Sequence, residues 1–349
     1  MILNNYLLDE KQSMSLKSLR YISTFAMVLA LFVVMLGAYT RLTDAGLGCP
    51  DWPGCYGHMV LPTDLDERMS AAHHYSEIPM VSRKAWTEMA HRYAAGTLGI
   101  LIFVMGGGLL HARRKGILLP WGVPLLLIFL VLAQAALGMW TVTLKLLPVV
   151  VMGHLLGGLL IFTGLCYFRL QLSEVVGLNL TRWRVWISLG LLIVFFQIAL
   201  GGWVSSNYAG IACIGFPTCN GQWLPALHLS EGFNLFSSVG ANYQGGVLDN
   251  SARITIQWVH RLGALLTFGY VLTLSLLLMR CVKSKSMYRM ALCAIFCLGL
   301  QLALGIANVI FFLPLWVAVA HNGVAALLLA TMMGMRYLAS SGSYHVLSH

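Results

Sequence analysis

The sequence predicts an all-α integral membrane protein with eight transmembrane helices in two repeated halves. Hydrophobic residues make up 58% of the 349 residues and charged residues only 10%, whereas an ordinary soluble domain has roughly 25% charged residues. Long uncharged stretches recur along the chain, each sufficient for the about 20 residues that cross a hydrocarbon core of about 30 Å. The second half of the chain also repeats, in order, the chemically distinctive residues of the first half.

The eight spans are delimited by charged residues. We expect them at residues 21–40, 93–112, 116–144, 146–168, 185–205 and 262–279, with the last two in the uncharged stretch 290–335. That stretch is too long for one helix, and Pro314 divides it because proline lacks a backbone donor and clashes with the preceding turn. Segments in lipid must satisfy their backbone polar groups internally, so each span is predicted to be a helix.

The basic residues set the orientation of the spans. They cluster before the first span and after every second one, and this side is assigned to the cytoplasm by the positive-inside rule: Lys11, Lys17, Arg20, Arg113, Arg114, Lys115, Arg169, Arg182, Arg184, Arg280, Lys283, Lys285, Arg289 and Arg336. Both termini are therefore predicted to be cytoplasmic, and the first span is expected to be an anchor because no small-residue cleavage site follows it. The net charge of +10 indicates contact with anionic lipid headgroups and gives no reason to expect nucleic acid.

These boundaries give five regions. They are a cytoplasmic tail at 1–20, a first four-helix unit at 21–171, a cytoplasmic linker at 172–184, a second four-helix unit at 185–338 and a cytoplasmic tail at 339–349.

Two long polar loops, near residues 41–87 and 206–253, are then outside the membrane, and each begins with a cysteine pair. The pairs are Cys49 with Cys55 and Cys213 with Cys219, each separated by five residues. The outside of a bacterial cytoplasmic membrane is oxidising, so both pairs are expected to form disulfides. Each disulfide is either a structural staple or a redox-active dithiol, although this spacing is not that of a thioredoxin-like site. The other four cysteines are expected to be free thiols on the cytoplasmic side: Cys166, Cys281, Cys293 and Cys297.

Four histidines share the register of the cysteine pairs. His91 and His154 recur as His260 and His321, at offsets of 169 and 167 residues, while the cysteine offsets are both 164. We expect His91 and His260 at the starts of helices, and His154 and His321 about two turns inside, so that all four lie near the outer face. A single intramembrane histidine is commonly a packing residue, but four at one depth favour a function.

Helix bundles build cofactor sites from side chains on facing helices. Two histidines without further ligands do not complete a zinc tetrahedron, but they do supply both axial positions of a porphyrin iron. The sequence therefore predicts two haem sites, one from His91 with His154 and one from His260 with His321. Glycines near each ligand fit a flat macrocycle or, alternatively, close helix packing: Gly96, Gly99, Gly153, Gly157, Gly158, Gly263 and Gly323.

An arginine follows a histidine in both halves, as Arg92 and Arg261. We expect these guanidinium groups to pair with haem propionates; the alternative is a helix-end cation that extends to the interface.

One position breaks the repeat. Glu88 lies three residues before His91, on the same helix face, whereas the residue three before His260 is Gln257. A carboxylate can accept a proton or stabilise a developing cation, and an amide does neither as well. The first half is therefore predicted to be the reactive one. The alternative is an exposed glutamate at a helix start, favoured there by the helix dipole.

The chain resembles the haem A synthase family of the cytochrome oxidase assembly route, in its cysteine-containing bacterial type. The resemblance rests on GAYTRLTDAGLGCPDWPGCYG at 37–57 and EMAHRYAAGTLG at 88–99, followed in order by VMGHLLGGLL, WVHRLGA and AVAHNGVAALLL. It extends over about residues 20–336, and the first segment is the most specific. Departures are a long insertion at about residues 58–84 and a long second outer loop.

The resemblance implies two four-helix bundles related by a pseudo-twofold axis. It implies that haem O is the substrate of the first bundle, that its C8 methyl group is oxidised to a formyl group with water as the expected oxygen source, and that haem b is the cofactor of the second. By motif, Glu88 is then the catalytic carboxylate, His91 and His154 belong to the substrate site, and His260 and His321 ligate haem b. Haem O synthase and cytochrome oxidase assembly factors are the implied partners, and homo-oligomerisation is left open.

Two other classes stay open from the residues alone. A b-type electron-transfer cytochrome would use both histidine pairs for permanent, spectrally similar haems, but it would not need Glu88 opposed by Gln257. A transporter with parallel repeats would also fit the topology, although the helices lack charge at the bilayer midplane.

Overall fold

The computed structural model describes residues 2–76, 78–114, 116, 121–173, 175, 177–236 and 238–340, with side chains from residue 16 onward. Within these ranges the regular structure is helical. The helices are α1 (Ile2–Leu42), α2 (Leu65–His74), α3 (Ser82–Arg114), α4 (Gly122–Thr143), α5 (Pro148–Gln171), α6 (Thr181–Ser206), α7 (Leu229–Gly232), α8 (Asn250–Cys281), α9 (Lys285–Ile310) and α10 (Leu315–Leu338).

Eight of the described helices are long and apolar enough to cross a membrane, as the sequence predicts. The short helices α2 and α7 lie in the two outer loops. The expected break at Pro314 is confirmed, since α9 ends at Ile310 and α10 begins directly after the proline. The backbone of α1 is helical from Ile2, so the predicted tail 1–20 continues into the first span. Residues 117–120 of the third span and 341–349 of the C-terminal tail lie outside the described residues.

The spanning helices pack as two groups of four. In the first half α1 contacts α3 and α5, while α4 contacts α3 and α5; in the second half α6 contacts α8 and α10, while α9 contacts α8 and α10. The halves meet where α5 packs on α10, flanked by the equivalent contacts of α1 with α10 and α5 with α6. One hydrophobic core, which includes Leu165, Leu278 and Met332, is continuous across both halves. This pattern fits the expected pseudo-twofold axis between α5 and α10.

Hydrogen bonds near the helix ends opposite the disulfide loops repeat as well. Arg169 Nε donates to the Thr24 hydroxyl at 3.0 Å, and its equivalent Arg336 Nε donates to the Ser188 hydroxyl at 2.7 Å. Each bond joins the last helix of a half to the first helix of the same half. Large apolar side chains point away from the core on the outer faces, as expected for helices solvated by lipid: Phe25, Ile100, Phe129, Phe196, Leu265 and Phe296.

The histidines lie deeper in their helices than the sequence predicts. We expected His91 and His260 at helix starts, but α3 begins at Ser82 and α8 at Asn250, so about 14–15 Å of helix precedes each histidine at a rise of 1.5 Å per residue. The prediction was wrong because it ended helices at charged residues. Backbone hydrogen bonding continues the helix through Arg83 and Lys84, since charged side chains are tolerated beyond the hydrocarbon region.

Candidate functional site

The four histidines form two pairs, one in each half. The ring centroids of His91 on α3 and His154 on α5 are 6.3 Å apart, with the ring planes at 81°. A metal–imidazole bond is about 2 Å long and the ligating nitrogen lies roughly 1 Å from the ring centroid, so two imidazoles that share one ion from opposite sides have centroids roughly 6 Å apart. His260 on α8 and His321 on α10 occupy the equivalent positions of the second half, and each faces its own glycine. The structure thus brings the first predicted pair together and places the second pair equivalently.

The first pair has unsatisfied nitrogen atoms. The Nδ1 atoms of His91 and His154 are buried and have no hydrogen-bond partner in the described structure. Both histidines are only half-buried, so their rings border space that their neighbours do not fill. Buried polar atoms are normally paired, and an exception calls for an explanation. Here the unpaired Nδ1 atoms show that no neighbouring side chain fixes these rings, and the space beside the rings would admit a group held between the two imidazoles.

Every one of the four histidines faces a glycine on the preceding spanning helix. A Cβ atom added to Gly37 would lie 2.9 Å from Cε1 of His91, and one added to Gly201 would lie 3.2 Å from Cε1 of His260. Gly138 and Gly305 stand in the same relation to His154 and His321, at 3.3 and 3.2 Å. Glycine therefore allows each histidine ring its close approach to the neighbouring helix, and at Gly37 a larger residue would displace the ring.

These four glycines were missed by the sequence analysis, which considered glycines beside the histidines in sequence. For Gly96 no atom lies within 4 Å of an added Cβ, and for Gly323 the nearest atoms belong to Met35. A signal was present, because Gly37 and Gly201 share the cysteine offset of 164 residues, and Gly138 and Gly305 share the offset of 167 residues between His154 and His321.

The second pair has amide partners. The Nε2 atom of Gln197 is 3.1 Å from Nδ1 of His260 and donates to the backbone carbonyl of His260 at 3.0 Å. The Nε2 atom of Gln301 is 3.2 Å from Nε2 of His321, whose Nδ1 atom, like that of His154, has no partner in the described structure. The two halves thus differ in what surrounds their histidines, although the histidines themselves are repeated.

The cysteine pairs form the expected disulfides, with Cα atoms 4.8 Å apart for Cys49–Cys55 and 4.9 Å apart for Cys213–Cys219. The two loops also share a short antiparallel bridge directly after the second cysteine and a cis peptide bond before the internal proline. The cysteines that the sequence leaves unpaired are free thiols: Cys166, Cys281, Cys293 and Cys297.

Each loop is held by the arginine that follows a histidine. Arg92 donates through Nη1 to the carbonyls of Asp51, Pro53 and Gly54. Arg261 donates through Nη1 to the carbonyls of Gly215 and Thr218, both at 3.0 Å; these two positions are equivalent to Asp51 and Gly54. The expected contact with propionates stays a prediction, and the arginines have a second role in fixing the disulfide loops beside the histidines.

Glu88 is buried between its own helix and the disulfide loop of the first half. Only 5% of the residue is exposed, so the alternative of a solvated helix-start glutamate does not hold. Its carboxylate accepts a hydrogen bond from the backbone N–H of Cys49 at 2.8 Å and pairs with the Arg92 guanidinium. Gln257, equally buried at 5% exposure, leaves its Oε1 atom without a partner in the described structure. The break in the repeat is therefore also a break in local charge and hydrogen bonding.

The first loop places two further polar residues near Glu88. Asp51 accepts hydrogen bonds from the backbone N–H groups of Tyr56 at 2.7 Å and Gly57 at 2.8 Å. Burial raises the pKa of the Tyr56 phenol, and the carboxylates of Glu88 and Asp51 raise it further. The phenol is therefore held in its neutral form beside the acidic site.

Protein side chains alone do not form a metal cage in the described part of the chain, where no group of three or more His, Cys, Asp and Glu residues is found. Two histidines per site suffice only for an ion whose remaining ligands come from elsewhere. The facing rings of His91 and His154 and the glycine opposite each of the four rings fit a macrocycle held between two imidazoles.

These features define an eight-helix integral membrane protein with a repeated histidine-pair site and a disulfide loop beside each pair. The sequence matches the cytochrome oxidase assembly protein family (COX15-CtaA) over residues 20–333, and the chain belongs to this family. It is 42% identical over 323 residues to the haem A synthase of Shewanella oneidensis, which covers 91% of this chain and 96% of that protein. It is 30% identical over 331 residues to the haem A synthase of Caulobacter sp. strain K31, with 87% and 91% coverage.

Proposed function

We propose that this protein is a haem A synthase that oxidises the C8 methyl group of haem O to a formyl group. The relatives above are named haem A synthase, and the resemblance found in the sequence extends over the same segments. With water as the oxygen source, conversion of the methyl group and one water molecule to a formyl group releases four electrons and four protons, in two oxidations that pass through an alcohol and a hydrated aldehyde. The chain must therefore hold the substrate, accept protons beside it and pass electrons on.

The first site is the proposed substrate site, with His91 and His154 as ligands of the haem O iron. The observation that carries this assignment is the buried carboxylate of Glu88, three residues before His91 and opposed by Gln257 in the second half. Held by Cys49 and Arg92, this carboxylate is oriented before substrate binds. It can accept a proton from the oxidised carbon or from the attacking water and stabilise positive charge that develops on the substrate.

The second site is the proposed site of haem b, ligated by His260 and His321. A bis-histidine haem supplies one-electron transfer when bound, which matches the need to remove electrons singly from the first site. Gln197 and Gln301 contact the two histidines. The position equivalent to Glu88 holds the amide Gln257, so this site has no carboxylate there. The residues of this half therefore suit retention of a cofactor rather than acid–base chemistry.

The protein is further proposed to lie in the bacterial cytoplasmic membrane with both termini inside. In support, basic residues end α3, α5, α8 and α10 on one side of the helices, and the disulfide loops lie at the opposite ends. Haem O synthase and cytochrome oxidase assembly factors are proposed partners, because the apolar substrate and product pass between membrane proteins.

The test is expression with a supply of haem O, followed by extraction and chromatography of the haems. The wild-type protein is expected to form the hydroxylated haem and haem A. Glu88→Gln is expected to lower this conversion by about 100-fold or more, in the range of an acid–base group, while the haem b spectrum persists. Gln257→Glu, the same exchange reversed in the other half, is the matched control and should retain conversion. Unchanged haem O with two stable b haems would instead identify an electron-transfer cytochrome.

A further inference from the structure

We propose that Gln197 is the positioning residue of His260, and that it makes the second site a site of retention where the first is a site of exchange. The inference rests on the proposed ligation of haem b by His260. It concerns a glutamine whose equivalent in the first half is not an amide, although the helices, the histidines and the glycine facing each histidine ring are repeated.

The contact joins two spanning helices. Gln197 lies on α6 and His260 on α8, with the amide nitrogen 3.1 Å from the ring Nδ1 and 3.0 Å from the backbone carbonyl. The amide oxygen is buried and has no partner in the described structure. An amide carries both a donor and an acceptor, and its two ends are interchangeable by rotation. It can therefore serve Nδ1 whether or not that nitrogen carries the proton that ligation through Nε2 requires.

The first half lacks this contact. The residue equivalent to Gln197, 164 positions earlier, is Val33, and Nδ1 of His91 has no partner. Valine offers neither a donor nor an acceptor. His91 is thus positioned by packing against Gly37, whereas His260 is positioned both by the equivalent glycine and by a hydrogen bond.

A second substitution accompanies the first. A Cβ atom on Gly263 would collide with the Oε1 atom of Gln197, so this glycine provides the room for the amide. The equivalent residue in the first half, 169 positions earlier, is Ala94. The pair Gln197 and Gly263 in one half thus corresponds to Val33 and Ala94 in the other.

Gln301 does not account for the difference between the sites. It contacts His321, but its equivalent 167 positions earlier is also a glutamine, Gln134. Gln197 is therefore the histidine partner whose residue type differs between the halves, because its equivalent is Val33.

A hydrogen bond to the second ring nitrogen fixes the orientation of a ligating histidine and raises its basicity, and loss of such a partner commonly costs about 10- to 100-fold in affinity. A resident cofactor gains from this support. A substrate haem must enter and its product must leave, so ligands without such support suit the first site. The exchange of Val33 for Gln197 therefore suits exchange of haem at the first site and retention of haem at the second.

The test compares Gln197→Glu with the double variant Gln197→Val/Gly263→Ala, which installs the residue pair found in the first half. The double variant is expected to bind haem b roughly 10- to 100-fold more weakly, with altered low-spin electron paramagnetic resonance and a raised midpoint potential, because the ligand becomes less basic. In Gln197→Glu the carboxylate is a stronger hydrogen-bond acceptor than the amide, so this variant is expected to lower the midpoint potential of haem b. Opposite shifts for the two variants are not expected from a packing effect.

Wild-type values of affinity, resonance and potential in both variants would overturn the inference. Gly263→Ala alone, which displaces the amide, should shift the signals in the same direction as the double variant; a normal spectrum there would also count against it. The measurements are made in a His91→Ala/His154→Ala background so that only the second site contributes. A protein that binds no haem in this background would overturn the assignment of the second site itself, and with it both proposals.

Discussion

Arg92 pairs with Glu88 through one nitrogen and holds the carbonyls of the first disulfide loop through another. Its equivalent Arg261 also holds the second loop, but its Nη2 atom donates to the carbonyl of Cys213 at 2.5 Å. In the second half, where Gln257 stands in place of Glu88, the arginine thus binds a backbone carbonyl instead of a carboxylate. In the first half alone, the loop, the arginine and the carboxylate form one connected network.

The Arg92–Glu88 ion pair is expected to be a strong determinant of stability. Both side chains are buried, at 12% and 6% exposure, and removing one partner of a buried pair commonly costs about 3–5 kcal/mol because the other charge is left unpaired. Arg92→Met should therefore lower the thermal stability of the purified protein more than Arg92→Met/Glu88→Gln does, as followed by thermal unfolding in detergent. Equal destabilisation of the two variants would show that the loop contacts, and not the ion pair, dominate.

The glycine that faces each histidine ring should affect only the site of that histidine. In Gly37→Ala the added methyl would lie 2.9 Å from the His91 ring and must displace it, so haem O conversion should fall roughly 10-fold or more while the haem b spectrum is kept. Gly201→Ala is expected to perturb the haem b spectrum first, through His260. Haem extraction and optical difference spectra separate the two effects.

Matched controls for these variants lie on the histidine-bearing helices. In Gly107→Ala on α3 and Gly269→Ala on α8 the added methyl group meets no atom within 4 Å. Both variants should leave conversion and spectra intact. Neither should lower the stability of its helix, since alanine is favoured over glycine in a helix by about 0.5–1 kcal/mol. Loss of function in the controls equal to that of Gly37→Ala would contradict the role of the ring contact.

The two disulfides are expected to differ in function although they close loops of the same length. Each closes a loop with a sequence separation of 6, for which chain entropy gives a stabilisation of about 2 kcal/mol. Cys49→Ser/Cys55→Ser should lower haem O conversion, because the backbone N–H of Cys49 orients Glu88. Cys213→Ser/Cys219→Ser should retain more of the conversion and instead weaken haem b retention, because Arg261 loses its fixed carbonyls.

Both disulfide variants are measured for haem products and for haem b content at the same protein concentration. Equal losses of conversion in the two variants, with haem b retained in both, would argue against a link between the first loop and Glu88.

Much of the site could be predicted because its chemistry is carried by single residues at repeated spacings. His91 with His154, the disulfides and the exchange of Glu88 for Gln257 all follow from register alone. The helix starts before His91 and His260 were misplaced, because charge marks the edge of the hydrocarbon region and not the end of backbone hydrogen bonding. The glycines opposite the rings were missed because each lies on a different helix from its histidine.

The sequence by itself determined the eight spans, their expected orientation and the two histidine pairs, since hydropathy, charge and ligand chemistry belong to the residues themselves. Only the tertiary structure decided which groups those residues meet. That Arg92 holds Glu88 and the loop, that Gly201 faces His260 and that Gln197 contacts its ring depend on how α1 packs on α3 and α6 on α8. Apart from the Arg92–Glu88 pair, which is four residues apart on α3, these contacts join positions about 40 to 60 residues apart. They are fixed by helix packing in lipid, where close approach and buried hydrogen bonds are set by neighbouring helices.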